Sequence, residues 1–96
     1  MSSGHPIALR LLRTHRYRIP RHGVVLARLW RVRLTSVQPS DPLTNPRVLY
    51  AVELDGLGSH AWRLVGRDES RAIEIWALLV RNTVTPCALA DVLEEL

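Results

Sequence analysis

Hydrophobic and polar positions alternate with a period of two through much of the chain before residue 66. Trp30, Val32 and Leu34 interleave with Arg31, Arg33 and Thr35 inside an apolar stretch at residues 24–37. Val48, Tyr50, Val52 and Leu54 interleave with Leu49, Ala51 and Glu53, and His60, Trp62 and Leu64 with Ala61, Arg63 and Val65. Successive side chains of a strand point to opposite faces, so each run predicts a strand with one buried face. For residues 24–37 this places Trp30, Val32 and Leu34 toward the core and turns the arginines outward. Asp55-Gly56-Leu57-Gly58-Ser59 lies between the last two runs. Gly and Asp tolerate the positive φ of tight turns, so this pair reads as a β-hairpin. Residues 17–19 read as a short earlier strand that turns through Arg21-His22-Gly23, whereas residues 7–13 fit neither period.

From residue 68 the pattern becomes helical. Asp68 is placed to cap a helix that starts at Glu69 and ends at Asn82. Thr85-Pro86 starts a second helix, with Thr as N-cap, Pro where its missing N–H costs nothing, and Val84 set to staple against Leu89. Leu89, Val92, Leu93 and Leu96 recur at helical spacing, and the short connection predicts an antiparallel helical hairpin. Ala72, Ile73, Ile75, Trp76, Leu79 and Val80 cover roughly 160° of the first helix, wider than one packing stripe needs, so that helix is expected to touch both sheet and second helix. Leu78 falls instead among Arg71, Glu74 and Arg81, which makes it a candidate partner contact, although isolated surface leucines are common.

The predicted fold is therefore α+β: a three- to four-stranded antiparallel meander sheet followed by a C-terminal αα-hairpin packed on one face. Trp30, Trp62 and Trp76, one from each main element, are expected to meet in the core. Residues 1–6, with Ser, Gly and Pro, read as a disordered lead-in, and residues 7–96 as a single small domain. Pro39, Pro42 and Pro46 make residues 38–47 a loop.

Charge changes this picture more than length does. All 13 basic residues are arginine, a pattern that suits a GC-rich coding sequence. Residues 1–40 hold eight arginines and no acid, while residues 41–96 hold five arginines against nine acids. The halves thus carry +8 and −4, within the net +4, and are able to attract each other in the fold. Arg28, Arg31 and Arg33 are the candidate contacts for nucleic acid or another anion, because guanidinium groups pair with phosphates. The plain alternative is the polar outer face of an ordinary strand.

Other chemistry is thinly represented. The lone Cys87 excludes an internal disulfide and a thiolate zinc site; it stands where a helix N-terminus would lower its pKa, but a small buried filler is the simpler reading. His5, His15, His22 and His60 have no metal-ligand spacing, and there is no glycine-rich phosphate loop or nucleophile elbow. The sequence thus suggests no enzyme, no cofactor and no metal. Its longest apolar run, residues 75–80, is far below the roughly 20 residues of a spanning helix, and no secretory pattern opens the chain, so a cytoplasmic protein without a membrane partner is expected.

Val65-Gly66-Arg67-Asp68, Val84-Thr85-Pro86, Leu89 and Asp91-Val92-Leu93-Glu94-Glu95-Leu96, together with Tyr17 and Gly23-Val24, resemble a family of short uncharacterised bacterial proteins found mainly in clostridia and their relatives. The likeness is carried by residues 62–96; the proline loop and the lack of lysine depart from it. It implies a fold and no activity. Function is thus expected to be that of a small non-enzymatic protein-interaction or regulatory domain, whose partner is another protein or a second copy of the chain. The alternative is nucleic-acid binding through the Arg-rich sheet face.

Overall fold

The computed structural model describes residues 7–34 and 47–96. The expected lead-in at residues 1–6, and the predicted loop apart from Arg47, lie outside the described residues. Four strands form an antiparallel meander in chain order: β1 (Ile7–Ile19), β2 (Gly23–Leu34), β3 (Arg47–Gly56) and β4 (Ser59–Gly66). Two C-terminal helices follow, α1 (Glu69–Arg81) and α2 (Leu89–Glu94), the latter entered through a 3-10 turn at Pro86–Ala88.

β1 is a single 13-residue strand, although residues 7–13 obeyed no period. The cause is a bulge: Leu11 pairs with Trp30 and Arg13 with Leu29, leaving Leu12 as an extra residue that packs against the core. An inserted residue resets the alternation, which hides the strand from a period-two reading. The β3–β4 hairpin closes on Leu57 and Gly58 at φ 56° and 72°, the left-handed pair of a two-residue turn whose twist suits flanking strands. Gly56, at φ 155°, is required for a second reason: a Cβ there would lie 2.2 Å from the Val24 carbonyl oxygen.

One face of the sheet contributes Tyr17, Val25, Ala27, Leu29, Tyr50, Val52 and Leu54 to a buried cluster shared with Ala72, Ile75 and Leu79 of α1, Val84 and Leu89. Fully burying a side chain such as Leu29, Leu54 or Leu79 contributes about 1.5–3 kcal/mol. Local chemistry places α1 there. Asp68 accepts from the Ser70 amide at its start. At its end Thr83 adopts φ 47°, with the Thr83 and Val84 amides bonded to the carbonyls of Val80 and Leu79, a Schellman ending that brings the buried pair Leu79 and Val84 together. The Tyr17 hydroxyl donates to the Val84 carbonyl, tying edge strand β1 to this connection, and burial pushes its pKa up to about 12. The predicted staple residues Val84 and Leu89 are both buried, but Thr85 makes no side-chain cap bond and α2 ends at Glu94, so Leu96 lies exposed beyond it.

The orientation expected of β2 is corrected. Its apolar phase switches between Leu29 and Trp30, but its pairing with β3 runs without a bulge. Odd-numbered positions therefore keep facing the core side, so Arg31 and Arg33 lie on the same face as Leu29, and Trp30, Val32 and Leu34 on the opposite one. In β4, likewise, Ala61 and Val65 pack against the core cluster, while Trp62 and Leu64 take the opposite face. The three tryptophans do not meet: only Trp76 packs against the core, with its indole N–H buried and unpartnered among the described residues.

Candidate interaction surface

The face opposite the core carries an apolar end and a polar end. Leu11, Trp30, Ala51 and Leu64 stand in one row across all four strands, and Leu9, Val32 and Leu49 form the next. None of these residues belongs to the core cluster shared with the helices. Leu9, Leu11 and Leu64 are 55%, 44% and 53% exposed, and Trp30, Leu49 and Trp62 are half-buried. Leu9, Leu11 and Leu64 are three of the five large exposed apolar side chains among the described residues; Val24 lies on the same face but beyond the polar rows, and Leu96 follows the last helix. That concentration on one face separates this surface from scattered leucines.

The polar end is organised by Glu53. Its carboxylate accepts from Arg28 Nη1 at 3.0 Å and Trp30 Nε1 at 2.9 Å through Oε1, and meets His60 Nε2 at 2.6 Å through Oε2. Burial alone would raise the Glu53 pKa, but the hydrogen bonds from His60, Trp30 and Arg28, with the Arg28 charge, hold it below the usual carboxylate range. The Trp30 indole is thereby fixed at the border between the two ends. One row further on, Arg16 on β1 is level with Leu26, Asp55 and His60.

Arg28, Arg31 and Arg33 are not brought together. Arg28 is on this face, engaged by Glu53, whereas Arg31 and Arg33 are on the core side of β2. There they join Arg10, directly opposite Arg31, around a shallow concavity of about 220 Å³ lined also by Ala8 and Leu9. Like charges in register across strands repel, and the buried Arg31 Nε has no partner among the described residues. Arg10 was missed because its pairing with Arg31 depends on the bulge. Glu53 was missed as an organising residue because its meeting with Arg28 and His60 follows from strand register, which carries no local sequence signal.

The remaining candidates are dispersed. Leu78 is half-buried on α1, away from the apolar rows, and its carbonyl accepts from the Asn82 side chain. Cys87 is exposed rather than the buried filler expected; it lies 3.6 Å from Ser59 Oγ, on the face of β4 opposite to His60. Among the described residues no three His, Cys, Asp or Glu side chains are grouped to hold a metal ion, and no helix is long and apolar enough to cross a membrane. Compared with family models, curated proteins and solved structures, the chain matches none.

Proposed function

We propose that this chain is a small non-enzymatic interaction domain of the bacterial cytoplasm, which docks a protein through the apolar end of its open sheet face. In this reading the two C-terminal helices form a hairpin that covers the other face and serves as rigid backing. The observation that carries it is the gathering of Leu9, Leu11 and Leu64 at one end of the face, beside half-buried Trp30 and Trp62. Exposed apolar area costs solubility and is concentrated where a partner removes it from water, at about 25 cal/mol per Å². Aromatic side chains at such a patch supply anchors. The resemblance to short bacterial proteins agrees with a compact domain and adds no activity. A photoreactive residue placed at position 11 or 64 is expected to give discrete cross-linked adducts in cells, and one at exposed Asp91 none. Equal yields from all three positions would refute the assignment.

A second reading, nucleic-acid binding, is supported by the Arg10, Arg31 and Arg33 cluster on the core side of β1 and β2. It predicts affinity for generic DNA or RNA that falls steeply with salt and is lost when these three are changed to alanine. No binding at low salt would remove it.

A further inference from the structure

Resting on the proposal that the open face is a docking surface, we infer that its occupant is a second copy of this chain, stacked sheet on sheet about a two-fold axis. The face is self-complementary in that arrangement. An axis lying between the sheets and parallel to the strands exchanges β1 with β4 and keeps each row level with its equivalent. Leu11 of one copy then lies over Leu64 of the other, with Trp30 and Ala51 between, to within the roughly 30° crossing that sheet twist imposes. The same operation brings Arg16 on β1 over the partner's His60 on β4, diagonal to the partner's Asp55 on β3. Apolar rows meet apolar rows, and Arg16 comes within one strand of the partner's Asp55.

The area is sufficient. With strands of 13, 12, 10 and 8 residues, spaced about 4.8 Å apart and rising about 3.3 Å per residue, the face spans roughly 19 by 35 Å. That is about 670 Å² of flat footprint, close to the ~800 Å² per partner of a standard stable interface. Pairing through the β1 edge is the weaker route. β1 carries Arg10, Arg13, Arg16 and Arg18 and a bulge, both of which discourage another strand from adding to it.

The test is sedimentation equilibrium of the full chain up to about 0.2 mM, combined with binding of an anilinonaphthalene sulfonate dye to dilute protein. The mass is expected to rise from 10.9 kDa toward twice that value. Leu11→Arg and Leu64→Arg, both at exposed positions and checked for native circular dichroism, are each expected to raise the dimer Kd at least roughly tenfold. Arg16→Glu and Asp55→Arg should each weaken association a few-fold, and the double exchange should restore it. A dimer indifferent to both leucine changes would overturn the inference. A monomer throughout, whose dye binding is lost in Leu11→Arg and Leu64→Arg, would overturn self-association yet leave the open face as a surface for a different protein. A monomer that binds no dye would overturn both.

Discussion

The two faces of the sheet are built from the same strands and similar apolar content, yet they are solved differently. On the core side, Val25, Leu29, Val52 and Leu54 are fully buried against α1 and the segment after it. On the open side, Leu9, Leu11 and Leu64 remain about half exposed, and a charged network centred on Glu53 sits at the margin of the apolar rows. A fold needs only one covered face to be stable. The apolar end of the second face is therefore not one that folding requires, and the difference is measurable.

The largest contrast is between leucines on opposite faces. Leu54→Ala should cost about 2–5 kcal/mol in urea unfolding, because the cavity has no room to collapse, whereas Leu64→Ala in dilute protein should stay within about 0.5 kcal/mol. Comparable losses at both positions would erase the distinction between the faces. Next comes the turn that sets the register joining them. Gly56→Ala forces a side chain against the Val24 carbonyl at φ 155° and should cost about 1–3 kcal/mol, read as a lowered unfolding midpoint.

A smaller effect sharpens the comparison on the open side. The Glu53 pKa is lower in the folded chain, so its contribution is present above the unfolded value and is lost as pH falls through the folded one. Stability should therefore drop in acid below about pH 4, and Glu53→Gln should cost about 1 kcal/mol at neutral pH while flattening that acid limb. On the core side the sign is opposite. With the Tyr17 pKa raised to about 12, its contribution is intact below pH 10 and is lost as pH rises toward 12. Tyr17→Phe should remove this alkaline loss at a cost of about 0.5–1.5 kcal/mol for the bond to Val84.

Much of the architecture was legible from short-range signals: the Asp68 cap, the Asn82 ending, the glycine turn after Asp55 and the alternation of β3. The length of β1 was not, because a bulge at Leu12 breaks its period. Nor was the orientation of β2. Alternation says that Trp30 and Arg31 face opposite ways, but only continuity with Val25, Ala27 and Leu29 decides which way is inward, and apolar Leu29 and Trp30 adjoin where the phase switches. The candidate surface was obscured by that same ambiguity. Tryptophans naturally read as core residues, and the place of Trp30 and Trp62 on the open face followed from a register between strands that local sequence does not encode.

The three indoles offer the most direct measurement of the difference between the faces. In hydroxyl-radical labelling read residue by residue in a mass spectrometer, raising the protein concentration should protect Trp30 and Trp62, on the open face, while leaving Trp76 unchanged. Protection of Trp76 alone, or of all three equally, on association would contradict the account.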